Sequence, residues 1–527
     1  MLRRLPLLLC LLAIVGSACA VLLAGSQADA SVATATFLLG LGTCVIAIPV
    51  SLLLARLCLQ SGFVPTLTRC YCLAFLFIPI FIHVSLWDSA VGKLGWVSLL
   101  GEATFQNSVG RWPIAIWIHA TAAIPQLTLI LWMGMRAGGN VLEEQASLNA
   151  SPASVFWHIT MPRLYPLIGI CVAWVFATCA REIAVTDIYR IGTLAEQIYL
   201  GYSLGELGEL AGVWATLALV SISAIMVGWA LWPHLGSFAG ENGGQGSTRR
   251  TGDWSLTLTG LIILAPLVLV PIVNVLIRGS RHVVVINDAP TAAYSPAHLW
   301  FVISRVPAEF VGEFSWSLAI AIPSCVVTIS LAILLVWYSR ESILCRSAVL
   351  ISVAVCCSLP GPMLGSAILW MRSLSDLPFV IWLFDRTVFG PVLANTLYCW
   401  PVSCGLIWFV LRNVDAHSIE HARLEGAGSL ARLFRIALAS TRPGIFGAAL
   451  IAFAYSFGEL SASQLAVPPG MEPIPRRMLG MLHSGVNDYT AGLTIVIACT
   501  TVLLVGLGSF FLKWHYQGQL NSRSTSQ

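Results

Sequence analysis

Long apolar stretches recur from one end of the chain to the other, each parted from the next by a short polar segment. A bilayer core demands about 20 apolar residues of a helix that crosses it. The stretches predict about twelve spans: near 5–24, 34–57, 68–87, 113–135, 164–181 and 212–232, then 256–277, 314–337, 347–370, 390–411, 443–460 and 490–512. In hydrocarbon the backbone must satisfy its own hydrogen bonds, so spanning helices are the expected solution. The fold class that follows is an all-α polytopic membrane protein. The first stretch, behind Arg3 and Arg4, reads as an uncleaved span. Its basic start and the small residues Ser17, Ala18 and Ala20 would also suit a cleaved signal peptide.

Residues 236–255 interrupt the pattern with a Gly-rich polar run that reads as a flexible linker. It divides the chain into a first part, 1–235 (core about 34–232), and a second, 256–527 (core about 314–512). If Arg3 and Arg4 are cytoplasmic and sides alternate, Arg56, Arg69, Arg136, Arg163, Arg249 and Arg250 fall inside. So do Arg340, Arg346, Arg412, Arg423, Arg432, Arg435, Arg442 and Lys513, which satisfies the positive-inside rule on balance. Lys93, Arg278, Arg281, Arg476 and Arg477 fall outside. Each part then starts and ends in the cytoplasm, giving two parallel six-helix repeats. A shared offset supports the duplication. Glu143 and Glu420, Phe176 and Phe453, and Glu182 and Glu459 are separated by one and the same interval (420 − 143 = 453 − 176 = 459 − 182).

Composition sharpens the class. Of 527 residues, 57% are hydrophobic and 10% charged, with mean hydropathy +0.84. A soluble domain carries roughly 25% charged residues, so the main solvent is lipid. A net charge of +4 gives no reason to invoke nucleic acid. The 15 cysteines include no C-x-x-C pair, and His83, His119, His158 and His483 have no ligand spacing, so no metal site is predicted.

The most informative segments are two polar loops, at 140–162 and 415–440, each between the fourth and fifth spans of its part. Each combines a short helical stretch, a turn-forming residue and a second amphipathic helix. Pro152 suits a first helical turn, and Asn149 and Gly426 suit a left-handed break. In the second loop Glu420, Ala422, Gly426, Ile436 and Leu438 carry the spacing, with Ala439 after them. In the first, Glu143, Asn149, Ile159, Met161 and Pro162 do so, while a count from Glu144 aligns Ala146 instead. These residues resemble the EAA motif of type I ABC importer permeases. The resemblance implies a fused two-half permease whose loops, as coupling helices, dock on two copies of a separate ATPase. It also implies a periplasmic solute-binding protein and a bacterial inner membrane, with both termini cytoplasmic. The segment 467–473 resembles the ferric-iron and thiamine branch.

The chain carries no motor of its own. Its two lysines, Lys93 and Lys513, end no G-x-x-x-x-G-K-[ST] run, so ATP would be bound by the partner and no cofactor is expected here. Glu182 and Glu459 each follow the loop glutamate at an equal distance (182 − 143 = 459 − 420). Carboxylates near span ends either line a polar path or sit at the interface, Glu182 pairing with Arg181 in the second case. An ion-coupled secondary transporter is the alternative function, and a polytopic membrane enzyme is a further one. Neither accounts for duplicated polar loops on one side.

Overall fold

The computed structural model describes residues 27–92, 95, 108–137, 145–146, 148–204, 254–286 and 288–524. The expected spans near 5–24 and 212–232, linker residues 236–253, and Glu143 and Glu144 lie outside the described residues. The first group of helices is α1 (Gln27–Cys58), α2 (Phe63–Leu76), α3 (Ile80–Val91), α4 (Ser108–Ala137) and α5 (residues 152–181). The short α6 (Ala184–Ile188) and α7 (Leu194–Leu204) follow. Next come α8 (Trp254–Ser280), a hairpin of β1 (Arg281–Ile286) and β2 (Ala289–Tyr294), and α9 (Pro296–Glu309). The last group is α10 (Val311–Ser339), α11 (Ile343–Ser358), α12 (Gly361–Ser373), α13 (Pro378–Arg386), α14 (Phe389–Arg412), α15 (Ala416–Leu424), α16 (Ser429–Phe457), α17 (Ser463–Ala466), α18 (Ile474–His483) and α19 (Asp488–Ser524).

The protein is an all-α polytopic membrane protein. Among the described residues 7 helices are long and apolar enough to cross a membrane, or 9 if each of two bent pairs counts as one span. Those pairs correct the expectation of straight spans at 68–87 and 347–370. α2 and α3 meet at 109°, and α11 and α12 at 108°. In each pair a proline, Pro79 or Pro360, stands just before the second limb. Proline lacks the N–H that would continue the ladder and holds the residue before it out of the helical region, so the run breaks there. A second departure is the hairpin, antiparallel from Arg281 opposite Tyr294 to Ile286 opposite Ala289. Its open edges require water or protein rather than lipid.

Two local features occur twice. Besides the two bent pairs, a π turn opens the helix after each polar loop, at Phe156–Thr160 in α5 and Leu433–Ala437 in α16. The starts of the two turns are separated by the interval already present in the three residue pairs (433 − 156 = 420 − 143).

Packing nevertheless interlocks the two parts of the chain. One core joins Leu54 and Leu57 of α1, Phe81 of α3, Leu127 of α4 and Val175 of α5 to Leu264 of α8, Val302 of α9, Met478 of α18 and Leu493 of α19. A second core holds Ile329 and Trp337 of α10, Cys356 of α11, Ile407 of α14 and Ala452 of α16. Where lipid is the solvent, close backbone approach and buried polar pairs hold helices together. Gly260 of α8 leaves no room for a Cβ against Leu57. The Ser85 and Thr494 hydroxyls hydrogen-bond at 2.6 Å between α3 and α19.

Candidate functional site

The second polar loop is built from its helix ends. Asp415 caps α15, accepting the N–H groups of His417 (3.2 Å) and Ser418 (3.0 Å) and the Ser418 hydroxyl (2.7 Å). The hydroxyl, then the backbone donors, hold its carboxyl below the ordinary value. The other end closes in a Schellman motif: Ala427 N–H donates to Ala422 O (2.9 Å) and Gly426 N–H to Arg423 O (3.0 Å). Gly426 has φ 84, the left-handed value this motif demands. Glu420 is exposed on α15, and Ala422, Ile436 and Leu438 are half-buried. The loop is bolted to the foot of α10. Arg432 pairs with Glu341 at 3.0 Å, and the buried Trp337 donates to Ser429 Oγ at 3.0 Å.

The first loop is described from Gln145 on, without Ser147. Ala146 O accepts the N–H groups of Asn149 (3.1 Å) and Ala150 (2.9 Å), and the chain turns there. Asn149 is not left-handed, contrary to expectation: among the described non-glycine residues only Arg190 and Asp288 have positive φ. The two hydrogen bonds to Ala146 O turn the chain with right-handed geometry. Pro152 opens α5, and Pro162 sits in its first turn beyond the π turn.

Both loops carry exposed large apolar side chains. Trp157 and Phe434 occupy the same position of their π turns, at the common offset (434 − 157 = 433 − 156), and are 61% and 59% exposed. Leu148 (82%) and Leu424 (77%) extend the two surfaces. Reading the loops for their polar spacing misses these four residues. An aromatic repeated at the common offset was the available signal.

At the opposite ends of α5 and α16, Glu182 and Glu459 are 5% and 4% exposed. Each caps the short helix that follows it. Glu182 accepts the N–H groups of Ala184 (2.6 Å) and Val185 (3.1 Å), and Glu459 those of Ala462 and Ser463 (2.9 Å). Arg181 turns its guanidinium away, 4.0 Å over the Tyr398 ring, and donates to Tyr398 O at 3.0 Å. His119 Nε2 stands 3.9 Å from Glu182 Oε2, beyond hydrogen-bond distance. The two segments meet directly: Ile183 N–H donates to Ser461 Oγ at 3.1 Å.

Over 118 residues the chain is 30% identical to the molybdenum transport system permease protein ModB of Escherichia coli, across 22% of this chain and 52% of that protein. Over 127 residues it is 27% identical to the spermidine/putrescine transport system permease protein PotC homolog of Mycoplasma pneumoniae, across 24% of this chain and 44% of that protein. The chain is similar to transport permeases. It spans about half the length of the curated relatives it matches. No family model matches it.

Two features of the far end also escape sequence reasoning. His483 Nε2 lies 3.1 Å from Asp187 Oδ2, tying α18 to α6. Beside that contact is a cavity of about 320 Å³, bordered by Asp88, Asp187, Arg190, Glu196, Leu482 and His483. Both features join residues of the first part of the chain to residues of the second, which no local pattern announces.

Proposed function

We propose that the chain is the membrane permease of a bacterial ABC importer in fused two-half form, carrying a small solute across the inner membrane. Two copies of a separate ATPase would engage the two loops, and a periplasmic binding protein would deliver the solute at the other face. The carrying observation is the duplicated loop with its π turn and its exposed aromatic, Trp157 or Phe434. Exposed apolar anchors in a polar setting suit a protein partner. Each loop leads without a break into a full-length span, so a displacement there is carried into the bundle. ATP-driven closure of the partner would bias a two-state rocking of the helices. In this reading Glu143, Glu144, Ala146, Asn149 and Pro162 belong to the first contact, and Glu420, Ala422, Gly426, Ile436 and Leu438 to the second. Both relatives are named as transport-system permeases, which favours a transport subunit over an enzyme. A ferric-ion or thiamine cargo rests on the 467–473 resemblance alone; the relatives are named for molybdenum and for polyamines.

Labelling tests the arrangement. Gln145 and Glu425 are exposed, so a single cysteine at either place, in a background with the native cysteines replaced, accepts a membrane-impermeant maleimide. Both are expected to react from the cytoplasmic side. Reaction from opposite sides overturns the proposal, because one ATPase pair could not then reach both loops.

A further inference from the structure

The cavity beside His483 lies at the end of the bundle remote from the paired loops, where α3, α6, α7 and α18 converge. Among the described residues three carboxylates border it, Asp88, Asp187 and Glu196, against one guanidinium, Arg190, and the imidazole of His483. Asp187 is engaged by His483 at 3.1 Å, and Asp88 accepts the Tyr189 hydroxyl at 3.0 Å. Glu196 differs. It is 8% exposed, and its Oε2 has no hydrogen-bond partner among the described residues. A buried carboxylate oxygen left without a donor carries a desolvation cost that a cationic ligand would remove.

The duplicated architecture supplies an internal control. At the offset of the π turns, Asp187 corresponds to Gln464 (187 + 277). By the starts of α7 and α18, Leu194 and Ile474, Glu196 corresponds to Arg476 (196 + 280). By the starts of α3 and α12, Ile80 and Gly361, Asp88 corresponds to Leu369 (88 + 281). The fold is made in its second copy without any of these three acids, so they are not required by the architecture. The charge is particular to one side.

We propose that this cavity is a binding site for a small organic cation, an extended amine whose ammonium groups meet Glu196 and Asp187. The volume falls at the lower end of the range for ligand pockets, about 300–1,000 Å³, which suits a ligand of few heavy atoms. Among the described residues no three His, Cys, Asp or Glu side chains converge as a metal centre would need. More than one carboxylate around a single cavity instead suits a cation with more than one charge. Burial, and then the neighbouring Asp187, raises the Glu196 carboxyl to about 7. Affinity therefore falls as pH drops through that value. Among the described residues Asp88, Asp187, Arg190 and His483 are the other charged or titratable groups bordering the space, and Arg278 interacts with Asp88 from α8.

The site does not depend on coupling to an ATPase, so its test is independent of the transport reading. The full-length chain in lipid nanodiscs is titrated with 1,4-diaminobutane by calorimetry, with the uncharged butane-1,4-diol as control. Saturable diamine binding is expected above pH 7, and none for the diol. Glu196→Gln weakens the diamine by roughly tenfold or more, equivalent to about 1.4 kcal/mol, and abolishes the pH dependence near 7. Glu196→Asp, which keeps the charge, recovers part of the affinity and shows that the site still folds. Absence of saturable diamine binding, equal binding of the diol, or unchanged affinity in Glu196→Gln each overturns the proposal.

Discussion

Gly426 offers the sharpest test of the loop assignment, because the same loop contains a matched control. At φ 84, Gly426 is in left-handed backbone, and a Cβ built there meets nothing within 4 Å. The cost of Gly426→Val is therefore conformational rather than steric. An L-residue in the left-handed region costs roughly 1–2 kcal/mol, and a β-branched one sits at or above the upper end. That amount opposes the hydrogen bonds from Ala427 to Ala422 and from Gly426 to Arg423, and lowers the closed-to-open ratio of the turn by about 5- to 30-fold. A partner that requires the closed turn loses apparent affinity by up to the same factor. Gly428, two residues on, also has open space at its Cβ but an ordinary φ of −64, so Gly428→Val adds the same bulk without backbone strain. In proteoliposomes with the ATPase at limiting concentration, Gly426→Val is expected to lose uptake by up to that factor. Its ATP hydrolysis and membrane insertion should persist, and Gly428→Val should transport nearly as wild type. Normal uptake by Gly426→Val would falsify the assignment. Equal losses in both variants would show that bulk, not the Schellman turn, matters.

Replacing Trp157 and Phe434 together with alanine is expected to abolish co-purification of the ATPase while the helical circular dichroism is kept; undiminished co-purification removes these side chains from the docking surface. Glu459→Ala strips the acceptor from Ala462 and Ser463 and should cost about 1–2 kcal/mol, read as a lower melting temperature in detergent. Glu459→Gln should recover part of it, and equal melting of all three proteins contradicts the capping role. Glu196 is raised from the ordinary 4.5 to about 7, so the folded chain takes up a proton as pH falls from 7 to 4.5 that the unfolded chain does not. Stability is therefore gained as pH falls through this window and is absent above it. The difference in melting temperature between wild type and Glu196→Gln should shrink as the pH is lowered, and a constant difference refutes the assignment.

The legible features are those carried by repetition and hydropathy. The offset visible in Glu143 and Glu420 reappears in the positions of the two π turns (433 − 156 = 420 − 143). Pro79 and Pro360 stand in the sequence as breakers, but an averaged apolar run conceals a bend, because hydropathy is indifferent to direction. Asn149 shows where analogy with Gly426 fails. Asparagine enters the left-handed region cheaply but is not driven there, and two hydrogen bonds to Ala146 O turn the chain another way. The capping by Glu182 and Glu459 depends on where backbone N–H groups point after the span ends. The docking of α8 and α19 on the first core depends on contacts between parts of the chain far apart in sequence. Neither leaves a local periodicity.

The capping geometry bears on what the paired glutamates do. A carboxylate lining an aqueous path should be accessible to the solute. Glu182 and Glu459 are almost wholly buried, and each commits both oxygens to backbone N–H groups. Their segments touch through Ile183 and Ser461, at the ends of α5 and α16 remote from the loops. About thirty residues of α5 at about 1.5 Å each place that tie roughly 45 Å from the first loop. In the proposed importer, two long helices joined at one end and driven at the other would behave as a pair of levers, with the joined end as the fulcrum. We therefore read Glu182 and Glu459 as fixing the pivot rather than meeting the solute. A fulcrum must be stiff, and charge-assisted bonds to helix N-termini provide that stiffness. Removing both carboxylates should then slow uptake while ATPase binding at the loops is kept; a change in solute selectivity with the rate intact would favour the path-lining reading instead.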